Sequence, residues 1–149
     1  MAIFMVHEDT IKLLRECCAG IKMGVSAIDE VLPRVKSEEL KTVLKKSKEE
    51  HERLERETQE MLADYGDDGK NPNPMAEGMS WLKTNMMLGF SSDPDKTVSG
   101  LITDGCDMGV KSLNRYLNQY EAAEERVKDI SKKLIAAEEH LEQGVRDYL

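Results

Sequence analysis

Apolar side chains recur along most of this chain in steps of three and four residues, the spacing that places them on one face of an α-helix. The first stripe of this kind predicts a helix from about Glu8 to Leu32, with Asp9 near its start as a cap. Pro33 ends this helix because proline cannot continue one. The inward positions are Ile11, Leu14, Cys18, Ile21, Val25, Ile28 and Leu32.

A second stripe predicts a helix that begins after Ser37 and reaches Tyr65. Ser37 is a favourable N-cap residue, and Glu38 and Glu39 match the positive end of the helix dipole. Because the loop after Pro33 is short, the first two helices should form an antiparallel hairpin. The inward positions of the second helix are Leu40, Leu44, Ser47, His51, Leu54, Thr58, Met61 and Tyr65.

The segment 66–93 separates this hairpin from the rest of the chain. Its glycines, asparagines and prolines up to Pro74 break regular structure, and a short amphipathic helix is predicted from Met75 to Phe90. Asp93 and Pro94 then form a typical helix start, with aspartate as the cap and proline in the first turn. The segment is too long for a hairpin turn, so it should cross the length of a helical bundle.

Two further stripes predict a third helix from Pro94 to about Tyr120 and a fourth that ends near Leu149. No glycine or proline lies between them, so one unbroken helix is an alternative that would imply a dimer. We favour a turn near 122–125, because so long an uncapped helix is rare. The inward positions are Ile102, Cys106, Val110, Leu113, Leu117 and Tyr120, followed by Val127, Ile130, Leu134, Ala137, Leu141 and Val145.

Charge and composition narrow the classes of function. The 149-residue chain, which we interpret as one domain (1–149), has a formal net charge of −8. This charge argues against nucleic acid and anionic membranes as partners. The chain start lacks the basic region of a signal peptide, and no segment is apolar enough to cross a membrane, so we expect a cytoplasmic protein. Its 3 cysteines should be reduced there.

The two halves of the chain carry a short internal repeat. Met-Gly-Val at 23–25 is followed by Glu-Glu-His at 49–51, and Met-Gly-Val at 108–110 is followed by Glu-Glu-His at 138–140. Each half would then be a helical hairpin with the glycine on its first helix and the histidine on its second. The repeat indicates an internal duplication.

Two duplicated hairpins joined by a long crossover describe the ferritin-like fold. With hairpins at 8–65 and 94–149 and the crossover at 66–93, the chain resembles a group of small bacterial ferritin-like four-helix bundles. Trp81-Leu82-Lys83 in the crossover and Thr103-Asp104-Gly105-Cys106-Asp107-Met108-Gly109 also carry the resemblance, which covers most of residues 8–149. It implies an all-α bundle.

The sequence departs from the di-iron pattern of that superfamily. Such proteins need glutamates on two helices and Glu-x-x-His on the other two. Lys48 and Ala137 stand three residues before His51 and His140, where glutamates would be required. A di-iron site would therefore need rearranged carboxylates, for which Glu16, Glu55 and Glu139 are the candidates.

Cysteine and histidine stand at the central positions instead. Pairing the helices about their loops places Cys18 level with His51, and Cys106 close to His140. Two thiolates and two imidazoles suit zinc or copper, and iron is the remaining option. The alternative is that the cysteines are ordinary core residues and that the histidines are hydrogen-bonded inside the protein. Cys17 is a weaker candidate for redox sensing.

The functional prediction from sequence is a non-enzymatic structural, regulatory or oligomerising module without a standard di-iron site. The alternatives are a metal-binding protein with a mid-bundle Cys/His site, and a di-iron protein with rearranged carboxylates. Met75, Met79, Met86 and Met87 of the crossover could bind copper, but such stripes more often pack against a helix. An acidic surface and this methionine-rich crossover favour a homo-oligomer, which we expect to be a dimer.

Overall fold

The computed structural model describes residues 2–69, 72–89 and 93–149, and in these ranges the chain is all-helical. Two short 3-10 helices span Leu32–Arg34 and Arg146–Tyr148. Met75, Met87 and Phe90, which the sequence placed on the crossover helix, lie outside the residues whose side chains are described. The α-helices are α1 (Ala2–Val31), α2 (Glu38–Asp64), α3 (Pro72–Gly89), α4 (Pro94–Gln119) and α5 (Glu125–Val145).

The first helix begins earlier than its stripe predicted, at Ala2 instead of Glu8. Asp9 is therefore inside the helix and does not cap it. Its carboxylate accepts a hydrogen bond from the backbone N–H of Ala122 at 3.1 Å, and the hydroxyl of Thr10 accepts one from the N–H of Glu124 at 2.9 Å. These bonds attach α1 to the turn between α4 and α5, where backbone donors need partners.

The predicted helix caps Ser37 and Asp93 are confirmed. The Ser37 side chain accepts from the N–H of Leu40 at 3.2 Å, and the Asp93 side chain accepts from the N–H of Lys96 at 3.2 Å. The carboxylate of Asp95 in turn accepts from the backbone N–H groups of Lys36, at 2.7 Å, and Ser37, at 3.0 Å. The start of α4 is thereby attached to the loop between α1 and α2.

The inward stripes are largely confirmed. All six predicted inward positions of α5 are buried. On α2 the pattern holds as far as Thr58, after which Leu62 is buried in place of Met61 and Tyr65. The predicted turn between the last two helices is also present, with α4 ending at Gln119 and α5 beginning at Glu125.

Helix α1 packs against α2, α3, α4 and α5, while α2 and α4 each also contact α5. The buried apolar residues form two clusters. Ile21, Leu54 and Leu134 belong to one cluster, and Leu44 and Leu141 belong to the other. Because α2 and α5 each contribute to both clusters, the middle of these two helices lies between them. The polar residues of the candidate site lie at this level, between the two apolar clusters.

Helix α3 lies against α1 and α4. Its Leu82 and Met86 are buried, and Met79 packs beside them against the second apolar cluster. The described methionines of the crossover are thus part of the packing and are not free for a partner, so the predicted homodimer loses this support. None of the described helices is both long enough and apolar enough to cross a membrane.

Candidate functional site

His51 of α2 and Glu138 of α5 form a buried pair at the middle of the protein. His51 is 0% exposed and Glu138 is 9% exposed. His51 Nδ1 lies 2.8 Å from the carbonyl oxygen of Ser47, and Nε2 lies 2.7 Å from Glu138 Oε1. A carbonyl oxygen can only accept, so Nδ1 carries a proton that it donates to Ser47. The short Nε2–Oε1 contact then requires a second proton, which the two side chains share.

The surroundings favour the imidazolium form of His51. Burial by itself acts to lower the pKa of His51, since it removes water from the charged ring. The hydrogen bond and negative charge of Glu138, together with the carbonyl of Ser47, act in the opposite direction and raise the pKa above its ordinary value. The pair is therefore best described as an imidazolium joined to a carboxylate, which is the arrangement that makes a buried charge tolerable.

Two glycines make room for this pair. A Cβ at Gly24 of α1 would lie 3.0 Å from His51 Cδ2 and 3.1 Å from Nε2. A Cβ at Gly109 of α4 would lie 3.3 Å from Glu138 Oε2. These are the glycines of the two Met-Gly-Val segments, so the repeat marks the positions where α1 and α4 approach the polar pair. Only a residue without a side chain fits there unless its neighbours move.

Cys106 of α4 is buried close to the same carboxylate. Burial raises the pKa of Cys106, and the negative charge of Glu138 raises it further. The side chain is therefore a neutral thiol at physiological pH. A thiol in this state is neither a nucleophile nor a ready metal ligand.

A cavity of about 250 Å³ lies between α1, α3 and α4 and reaches the carboxylate of Glu138. It exists because the facing surfaces carry many residues with small side chains or none. Its other walls include Leu82, Ile102 and Leu134, and Trp81 and Met108 line it while being 38% and 56% exposed. The small residues that line it are Ala19, Gly20, Gly24, Ala27, Gly78, Gly105, Gly109 and Ser112.

The structure separates Cys18 from His51, which the sequence had placed at the same level. Cys18 Sγ accepts a hydrogen bond from Gln59 Nε2 at 3.2 Å, and Gly24 is the α1 residue that faces His51. These contacts pair Gly24 with His51 and Cys18 with Gln59, so the midpoint of the antiparallel hairpin lies later in the chain than the sequence pairing assumed. Cys18 consequently packs near Leu62, toward the far end of the hairpin.

The structure also places His140 away from the interior. Its side chain is 78% exposed, and its Nδ1 lies 3.6 Å from a carboxylate oxygen of Glu50. Successive helical residues are rotated by about 100°, so His140 points roughly opposite to Glu138 on α5. The four predicted ligands Cys18, His51, Cys106 and His140 do not converge. Within the described ranges, no group of three or more His, Cys, Asp or Glu side chains is arranged to hold a metal ion.

The three carboxylates considered for a rearranged di-iron site lie in three different places. Glu16 lines the cavity, Glu55 lines a groove beside Glu52, and Glu139 is exposed. The carboxylate that does reach the interior is Glu138, which sequence reasoning missed. Its spacing contained the signal, because it lies four residues after Leu134 and three before Leu141 and so shares their buried face.

Comparison of the chain with protein-family models, curated proteins and solved structures found no significant match. The candidate function therefore rests on the geometry of the site alone.

Proposed function

We propose that this protein is a non-enzymatic helical module that binds a small, mainly apolar molecule in the cavity between α1, α3 and α4. The observation that carries the proposal is the cavity itself, about 250 Å³ in volume, with apolar walls and the buried carboxylate of Glu138 at one side. Ligand sites in proteins are typically concave and apolar, with a few polar groups that orient the ligand. Glu138 and Cys106 are buried polar groups that line this cavity.

The chemistry of these groups favours binding over catalysis. A general base needs a nitrogen or oxygen that is free to take a proton from the substrate. Both ring nitrogens of His51 are already engaged, by Ser47 and Glu138. Burial raises the pKa of the Cys106 thiol, which removes it as a nucleophile. The His51–Glu138 pair and the Cys106 thiol are thus suited to keep the shape and the charge of the cavity wall fixed.

The proposal includes the ferritin-like architecture expected from the sequence. In it, α1 with α2 and α4 with α5 are the two hairpins of a four-helix bundle, and residues 66–93 are the crossover. The contacts of α1 with α2, of α4 with α5 and of α2 with α5 support this arrangement. The hydrogen-bonded His51–Glu138 pair would then occupy the middle of the bundle, where the di-iron proteins carry their metal ligands.

The fluorescence of Trp81 provides a direct test, because it is the only tryptophan of the chain and lines the cavity. We would titrate the protein with three phenylalkyl compounds of similar size: butylbenzene, 3-phenylpropylamine and 4-phenylbutanoate. The proposal expects at least one compound to change the Trp81 emission saturably and to raise the unfolding temperature, since a ligand that binds only the folded state stabilises it.

Leucine substitutions on the cavity wall distinguish binding in the cavity from binding elsewhere. Gly20→Leu and Gly105→Leu add bulk to the lining from α1 and from α4 and should weaken or abolish the response. Gly100→Leu is the matched control, because Gly100 also lies in α4 with open space around its Cβ position but does not line the cavity. Binding of none of the three compounds, or equal binding by the wall variants, would refute the proposal.

A further inference from the structure

We infer that the ligand of this cavity is an organic monoamine, whose ammonium group donates a hydrogen bond to Glu138 Oε2 and whose apolar body fills the space between α1, α3 and α4. The inference rests on the proposed function and specifies the chemical class of its ligand.

The charges around the cavity select a cation. Among the lining side chains that the structure describes, the charged ones are Glu16 and Glu138, and both are acidic. His51 lies behind Glu138 and neutralises one of these two carboxylates. One negative charge remains, which a single ammonium group would balance. An anionic ligand would instead raise the net negative charge of a partly buried site from one to two, and charge repulsion is poorly screened there.

The hydrogen bonds of Glu138 leave an acceptor position for that ammonium. Oε1 is engaged by His51 Nε2 at 2.7 Å, whereas Oε2 faces Gly109. An ionised carboxylate offers about four lone-pair positions, and the imidazolium of His51 uses one of them. Gly109 adds no side chain beside Oε2, and Gly109 and Glu138 both line the cavity. A donor that enters the cavity can therefore reach it.

The size and the walls of the cavity define the rest of the ligand. Its volume of about 250 Å³ exceeds the roughly 150 Å³ of an engineered cavity that holds benzene, but is below the roughly 300 Å³ at which drug-sized pockets begin. A phenylalkyl group is of this size. Trp81, which lines the cavity and is partly exposed, adds an aromatic side chain to its wall.

The same three compounds test the ligand class on the unaltered protein. In 3-phenylpropylamine, butylbenzene and 4-phenylbutanoate, an ammonium, a methyl group and a carboxylate follow the same phenylpropyl body. We expect the amine to bind at least tenfold more tightly than either of the others, measured by Trp81 emission and by calorimetry. This ranking requires no variant, so it decides the question even if substitutions at Glu138 impair folding.

The Glu138→Gln variant then tests whether the ammonium group contacts Glu138. It keeps the size of the side chain but removes the charge, so we expect the amine to lose at least tenfold in affinity while butylbenzene changes little. Glu139→Gln makes the same chemical change at the next, exposed residue and should leave both affinities unaltered. Equal or tighter binding of butylbenzene or 4-phenylbutanoate would overturn the amine assignment while leaving the proposed function standing. Absence of binding by all three would overturn both.

Discussion

His51 Nε2 and Glu138 Oε1 lie 2.7 Å apart inside the protein, although 87 positions separate the two residues in the sequence. The contact joins α2 of the first half of the chain to α5 of the second. Both residues are nearly excluded from water, and each charge depends on the other for compensation. Substitutions of these two residues should therefore have non-additive effects on the free energy of unfolding.

A double-mutant cycle measures this coupling. We expect His51→Leu and Glu138→Leu each to lower the free energy of unfolding by about 3–5 kcal/mol, because each leaves a buried partner uncompensated. The double variant should lose less than the sum of the two, with a coupling of at least about 1 kcal/mol. Urea unfolding gives the free energy of unfolding of the wild type, the two single variants and the double variant.

The exposed ion pair of Lys48 with Asp29 serves as the comparison, and its coupling free energy should be about 1 kcal/mol or less. Additive losses at His51 and Glu138 would show that the pair does not act as a unit.

The glycines beside the pair should resist substitution. Replacing a helical glycine by alanine normally stabilises a helix by about 1 kcal/mol. At Gly24 the new Cβ would lie 3.0 Å from the His51 ring, which is held by bonds on both nitrogens, so we expect Gly24→Ala to be destabilising. Gly100→Ala, which meets open space in α4, should show the normal gain. Similar urea midpoints for the two variants would indicate that α1 can move away from His51 at little cost.

The raised pKa of His51 predicts how this stabilisation depends on pH. A histidine whose pKa is higher in the folded state stabilises that state fully below its unfolded pKa of about 6.5, and loses this contribution as the pH rises through the folded pKa. The difference in unfolding free energy between the wild type and Glu138→Gln should thus be largest at about pH 6 and should shrink as the pH rises through the folded-state pKa of His51. His140→Gln, which changes an exposed histidine, is the comparison variant. A Glu138→Gln difference that grew with pH would contradict the assignment.

The three cysteines should be unreactive in the folded protein. All three are free and buried, and burial raises the pKa of Cys17 to about 12. Since the thiolate is the reactive form, a disulfide reagent at about pH 8 should label the native protein only as fast as the protein transiently unfolds. In denaturing urea all three should react at once, which provides the internal control. Rapid labelling of one thiol in the native state would identify a cysteine that the folded protein exposes.

Elemental analysis addresses the metal-binding alternative. His51 has no free ring nitrogen and His140 points to solvent, so we expect no stoichiometric zinc, copper or iron that depends on them. The measurement compares the wild type, purified without chelator or affinity metal, with the His51→Ala/His140→Ala variant. A metal that is present in the first and lost in the second would show that these histidines rearrange to bind it.

The sequence by itself determined the helices and most of their inward faces. Ser37 and Asp93 act as caps, and the stripe from Val127 to Val145 is buried, because capping and helical periodicity depend on residues within a few positions of one another. The same reasoning indicated the turn before Glu125 and the glycines of the repeat. It also identified His51 as an inward residue, although not its partner.

Only the tertiary structure decided which side chains meet. The level at which α1 passes α2 depends on the geometry of the short connection after Val31, and a shift of a few residues there removed Cys18 from His51. The rotation of α5 about its own axis decides that Glu138 points inward and His140 outward. Side chains two residues apart on a helix point in roughly opposite directions. The cavity likewise depends on how far apart α1, α3 and α4 are held. Such distances arise from contacts between residues far apart in the sequence, which local patterns along one chain do not specify.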